Sequence, residues 1–183
     1  MHQQLKTVET ELVMARIRFQ RLMAAVSDAR WAARPESGQW SVAECIAHLN
    51  LSSRAMQPLL EAAVAEARTI GGGAPSRFRR SAIGRMLGAI VGPAPGIGKL
   101  RFGRTSTPPD FVPEGELPRR TTVEEFERHL EAHARLLSSA DRLPLDRVRV
   151  ASPFAKAVSY DAYSAFLILA RHMHRHLAQA ERV

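Results

Sequence analysis

His172 and His176 stand one helical turn apart in the segment RHMHRHLAQAERV. At about 100° per residue, an i, i+4 pair puts two imidazoles on one helix face, about 40° apart. Two nitrogens on one face can grip a single divalent ion if another element supplies a third ligand. His48, in WSVAECIAHLN, is the candidate for that third ligand. Three histidine ligands leave a tetrahedral ion one open position, which is a catalytic arrangement, whereas structural sites are closed by four protein ligands. The ordinary alternative is a set of core-edge histidines hydrogen-bonded to carbonyls or water. A second HxxxH, His129 and His133 in FERHLEAHARLL, shares a face with Phe126, Leu130 and Leu137. That pair is expected to line a pocket, or to replace His48 as a ligand source. HLEAH is not the HExxH of a zincin, because Glu131 stands in the wrong place to act as its base. Were His133 to close the tetrahedron, the ion would be structural.

The elements that must position these residues read as helices. Leu5, Val8, Leu12, Ala15, Phe19, Leu22 and Val26 form a 3.6-period stripe over residues near 4–29. After the turn-rich ARPESG, Ser41 followed by Glu44 is a capping box, so a second helix runs from about 42 to the late sixties. Its stripe is Val42, Ile46, Leu49, Met56 and Leu60, with Pro58 as a potential kink. Thr121 or Thr122, each with a Glu three residues on, is expected to cap a third helix through about 139. A fourth starts near Ser159–Asp161 and runs almost to the end. The expectation is one all-α domain over residues 1–183, a four-helix bundle with a long irregular crossover between its second and third helices. On the last helix, Gln179 falls within about 20° of His172 and counts as a pocket residue, while His174 points some 160° away and reads as surface.

Charge and composition narrow the function classes. The net charge is +8, and residues 71–121, with 9 basic and 3 acidic side chains, supply +6 of it. The same stretch holds 10 of the 11 glycines and 7 of the 11 prolines, so little regular structure is expected there. Aromatic stacking residues are scarce and no recognition motif occurs, so nucleic acid is not the expected partner. GPAPGIGKL fails the phosphate-loop pattern, since Pro93 stands where the first Gly belongs and Leu100 follows Lys99. RRSAIGRMLGAIVG is compatible with a short cationic amphipathic helix that docks on a partner subunit or membrane surface, although Gly84 and Gly88 weaken it. Cys45 is the only cysteine, which excludes a disulfide framework, and among Ile46 and Leu49 it reads as apolar filler. No run of 18 apolar residues and no signal peptide is legible, so a cytoplasmic protein without membrane contact is expected.

Two segments carry a resemblance. RPESGQWSVAECIAHLN looks like the entry to the second helix of the DinB-like superfamily, with a Pro/Gly turn, Trp-Ser, then a Glu and a His on the helix. SPFAKAVSYDAYSAFLILARHMHRHLAQAERV is similar to that family's last helix, which ends in His-x-x-x-His followed by a Gln. The resemblance implies a four-helix bundle in which His48, His172 and His176 hold a divalent transition metal, zinc or nickel. It also implies a small-molecule enzyme, a transferase using a low-molecular-weight thiol such as mycothiol, bacillithiol or glutathione, and a homodimer is compatible with it. A three-histidine ion lowers the pKa of a bound water or thiol, so hydrolysis is the alternative reaction of the same fold. A non-catalytic interaction module using the basic excursion is the alternative outside enzymology. Anionic thiols would suit Arg77, Arg79, Arg80, Arg101 or Arg104 of the excursion.

Overall fold

The predicted first stripe does run inward. In the computed structural model, which describes residues 1–36, 38–92, 107–155 and 157–183, helix α1 (Gln3–Ala25) buries Leu5, Val8, Leu12, Ala15, Phe19 and Leu22. It ends earlier than residue 29 because Val26 turns extended and the Ser27 side chain accepts from the Arg30 amide, starting a separate short helix α2 (Asp28–Trp31). The capping box opens α3 (Val42–Ile70): the Ser41 hydroxyl accepts from the Glu44 amide at 3.2 Å, and the Glu44 carboxylate accepts from the Ser41 amide at 2.8 Å. Pro58 is accommodated inside this helix. Gly71, Gly72 and Gly73 then take φ of 67°, 81° and 67°, a left-handed run that no other residue type adopts cheaply, and the chain turns away.

The expected Thr cap is absent. Helix α5 spans Arg119–Ser139 with Pro118 as its N-cap, and Thr122 lies buried inside it. The fixed φ of Pro118, −60°, already suits a helix entry, and its carbonyl takes the Thr122 amide at 3.1 Å, so the helix begins a turn before the T-x-x-E pattern. A two-stranded antiparallel ribbon, β1 (Arg149–Ala151) and β2 (Ser159–Asp161), pairs Val150 with Tyr160. It delivers Asp161 as the N-cap of α6 (Ala162–Ala180), where the carboxylate accepts from the Ser164 amide at 2.7 Å.

Side-chain pairs fix the helix directions. His174 with Glu11 and Arg18 with Glu181 set α1 parallel to α6. Asn50 with Thr122, Arg54 with Glu125 and Arg68 with Ser139 set α3 parallel to α5. Phe19 on Phe126, with ring centroids 4.6 Å apart, and the N-terminus beside Asp141 make α1 antiparallel to α5. Around the bundle the order is α1, α6, α3, α5. Consecutive parallel helices cannot be joined by a tight turn, so the excursion must climb the length of the bundle.

That excursion is more ordered than its Gly and Pro content predicts. It contains a nine-residue helix, α4 (Ala82–Ile90), packed on α6, and a 3₁₀ turn at Pro109–Phe111. Phe78 and Phe111 are buried, and Phe78 stacks on Tyr163 at 5.1 Å. The return leg is fastened where the Trp31 indole donates to the Leu117 carbonyl at 2.8 Å. Arg101, Arg104 and the GPAPGIGKL segment from Pro93 onward lie outside the described residues.

Candidate metal centre

Antiparallel packing of α3 on α6 brings the N-terminal half of one helix beside the C-terminal half of the other. His48 therefore meets His172 and His176 at one end of the bundle. Ring centroids are 5.0 Å apart for His48 and His172, 4.4 Å for His48 and His176, and 4.6 Å for His172 and His176. One nitrogen from each ring lies within 4.8 Å of the other two, and among the described residues no fourth His, Cys, Asp or Glu joins them.

Two observations test whether the three rings suit a metal. The Nε2 atoms of His48 and His172 face each other at 3.2 Å. A tetrahedral ion with Zn–N of 2.0–2.1 Å separates its ligand nitrogens by roughly 3.3 Å, so this spacing fits a shared ion. The second is the Nδ1 of His176, which is buried without a hydrogen-bond partner. A buried polar atom left in that condition costs stability unless something satisfies it.

Each ring is also held in the protonation state a ligand needs. His48 Nδ1 lies 2.7 Å from the Phe111 carbonyl, which can only accept, so Nδ1 carries the proton and Nε2 presents its lone pair. Burial lowers the pKa of His48, opposed by that carbonyl. Burial pushes His172 down to about 3, aided by His48 and Arg175. His176 is lowered well below its ordinary value by burial, then by His172, His48 and Arg175, against a weak opposing bond from Gln179. At neutral pH the cluster is three neutral imidazoles.

The surroundings are aromatic. Trp40 lies 5.0 Å from His48 and 5.9 Å from His176, Phe154 lies 5.9 Å from His172, and Phe154 packs on Phe111 at 4.5 Å. Neither Phe111 nor Phe154 is legible as a site residue in the sequence, because each arrives from a connection with no periodic signal. Trp40 is visible only as part of the Trp-Ser resemblance.

The remaining sequence candidates fall elsewhere. His129 and His133 lie on the seam between α5 and α3. The pairs Asn50–Thr122, Arg54–Glu125 and Arg68–Ser139 place His133 level with Glu61 and Ala62, roughly 20 Å along α3 from His48 at 1.5 Å per residue. Neither can line the same pocket or replace His48. His129 is held by Glu125 at 3.3 Å, and His133 is fully buried with neither ring nitrogen partnered. Gln179 lies three residues beyond His176 on the same helix, and it only weakly opposes the lowering of the His176 pKa. His174 stays out of the cluster, yet it is not surface: it is 9% exposed and bonds the Glu11 carbonyl at 2.9 Å and carboxylate at 3.0 Å. Of the expected arginines, Arg80 is structural, donating to Ser164 and the Gly84 carbonyl, roughly 12 Å along α6 from His172. Arg77 and Arg79 precede it at the same end. The cation beside the cluster is instead Arg175, whose charge both His172 and His176 feel. Cys45 is buried with its thiol pushed up to about 12, first by burial and then by Glu44, so it remains an apolar filler.

The sequence profile of the DinB superfamily matches residues 11–180. The chain belongs to the DinB superfamily. The match takes in α1 from Glu11 onward, the other three bundle helices and the three clustered histidines, in agreement with the all-α fold. Comparison with curated proteins and with solved structures gives no match.

Proposed function

We propose that this chain is a metal-dependent small-molecule enzyme of the DinB superfamily, in which His48, His172 and His176 hold a divalent ion and a low-molecular-weight thiol is the cosubstrate. The observation that carries the reading is the convergence of three neutral imidazole nitrogens within 4.8 Å with no fourth protein ligand among the described residues. When bound, a zinc or nickel ion supplies Lewis acidity that lowers the pKa of a water or thiol taking its open position.

The chain's own groups account for the rest. The Phe111 carbonyl fixes the His48 tautomer, so the lone pair faces the centre without reorganisation. Trp40 beside His48 and His176, and Phe154 beside His172 with Phe111 packed on it, surround the cluster with apolar rings that thin water around a nucleophile and suit an apolar electrophile. Arg175 supplies positive potential beside His172 and His176, which favours an anionic thiol over a neutral one. In S-transfer, the thiol gives up its proton to solvent, and the thiolate sulfur forms a bond to an electrophilic carbon as the bond from that carbon to the leaving group breaks and the leaving group departs with its electron pair.

The test begins with elemental analysis of untagged protein purified without added metal. About one equivalent of transition metal is expected, absent from His176→Ala and retained by His133→Ala. Equal loss from both variants would overturn the three-histidine site. A screen pairing mycothiol, bacillithiol or glutathione with electrophiles, beside ester substrates without thiol, then separates the chemistries. Turnover that requires the thiol and vanishes in His176→Ala supports transfer, and thiol-independent hydrolysis refutes it.

A further inference from the structure

Helix α4 is built inside out. Gly84 and Gly88 are buried against the bundle and Leu87 is half-buried, while Ala82, Ile83, Met86, Ala89 and Ile90 face outward. Ile83, Met86 and Ile90 are 38%, 54% and 42% exposed. At 100° per residue these three fall within about 60° of one another, a continuous aliphatic stripe.

Packing fixes that orientation. A Cβ on Gly84 would lie 2.6 Å from the Ser164 Cβ, and one on Gly88 would lie 2.6 Å from the Arg80 guanidinium. The Arg80 guanidinium can swing aside, but Ser164 of α6 cannot, so the Gly84 edge must face α6, and turning the aliphatic side inward would drive larger side chains into that contact. Both ends are pinned as well. Asp161 accepts from the Ser81 amide at 2.8 Å, and Arg171 and Arg175 donate to the Gly88 and Ile90 carbonyls at 3.0 and 2.8 Å. The two glycines that weaken the helix intrinsically are what allow it to dock with its apolar side out.

Charge says what the stripe faces. Arg77 and Arg79 lead into the helix, and Arg85 lies on its flank, about 100° round from Met86, with its guanidinium donating to the Arg80 carbonyl at 2.7 Å; all three are exposed. The sequence has no Asp or Glu between Glu66 and Asp110. The nearby carboxylates are engaged: Asp161 is buried and bonds Ser81 and Ser164, and Asp146 accepts from the Arg79 amide. A second copy docked face to face would set these arginines against one another. A polyanion without an apolar layer would leave Ile83, Met86 and Ile90 in water. An anionic lipid surface accommodates both features, with aliphatic side chains at the acyl boundary and guanidinium groups among the headgroups.

We infer that α4 docks this protein peripherally on anionic lipid through Ile83, Met86 and Ile90, with Arg77, Arg79 and Arg85 at the headgroups. Among the described residues no helix is long and apolar enough to cross a membrane, so the contact is interfacial.

The experiment is co-sedimentation of the full chain with vesicles of phosphatidylcholine alone, or containing about one-third phosphatidylglycerol. Pelleting is expected only with the anionic vesicles, weakening as salt rises. Met86→Asp combined with Ile90→Asp should lower the partition coefficient at least about tenfold with the helical circular dichroism unchanged. Val13→Asp combined with Met14→Asp, on the exposed side of α1, should leave it unaltered. No pelleting, equal pelleting with neutral vesicles, or pelleting that survives the α4 substitutions overturns the inference. So does an oligomer that the α4 substitutions split while no vesicle binding is seen.

Discussion

Replacing His133 with leucine should stabilise the fold and flatten its acid sensitivity. His133 is fully buried on the α3/α5 seam, and neither ring nitrogen has a partner. Burial, with a lesser contribution from His129, pushes its pKa down from 6.5 to about 3. An unsatisfied buried polar group costs about 1–3 kcal/mol, and leucine fills a similar volume without one, so a gain of about 1–2 kcal/mol at pH 7.5 is expected. The pH dependence has a definite sign. Below 6.5 the unfolded chain takes up a proton that the folded chain refuses until about 3. Over that window the unfolded state binds more protons, and stability falls as pH falls. From pH 7.5 to 5.5, one such site removes about 1.4 kcal/mol. Urea denaturation followed by circular dichroism at the two pH values gives the measurement. The difference between wild type and variant isolates His133 from the other buried histidines. A variant that is less stable at pH 7.5, or that keeps the full wild-type slope, would refute this account and show that the ring is satisfied within the seam.

Three further outcomes are expected. Ser41→Ala removes half of the capping box on α3 and should cost about 1 kcal/mol in thermal denaturation. Gly84→Ala forces a Cβ against Ser164, so α4 must lift from α6; a loss of about 1–3 kcal/mol and faster amide exchange across residues 82–92 should be seen. On the metal-centre reading, Phe111→Ala displaces the carbonyl that orients His48 and should lower metal affinity about tenfold or more in a chelator competition, with metal stoichiometry unchanged.

Local signals in this chain were legible, and lateral ones were not. Ser41 and Glu44 interact across three residues, so their capping box is visible before any fold is known. The T-x-x-E pattern at Thr121 and Thr122 is equally local, yet Pro118 starts the helix first and leaves it unused. His174 shows a different limit. Its wheel angle relative to His172 is right, but the inference from angle to solvent assumes a helix with one buried side. In the bundle α6 lies between α3 and α1, so both sides are covered, and His174 meets Glu11 of α1 while His172 and His176 meet His48 of α3.

The same lateral logic separates the two HxxxH pairs, which are alike in spacing. His172 and His176 meet His48 because α6 runs antiparallel to α3, which aligns its last turns with the first turns of α3, where His48 sits. His129 and His133 also face α3, but α5 runs parallel to it, and the register aligns His133 with Glu61 and Ala62 instead. A helix direction, set by the long crossover, thus determines which pair converges with a third histidine and which leaves one ring on Glu125 and the other, His133, buried without a partner. The crossover then returns past the same end and places the Phe111 carbonyl on His48. The segment that looked least structured both sets the register of α5 and orients a ring in the histidine cluster. Damage to its return leg should therefore reach the centre before it reaches the bundle core.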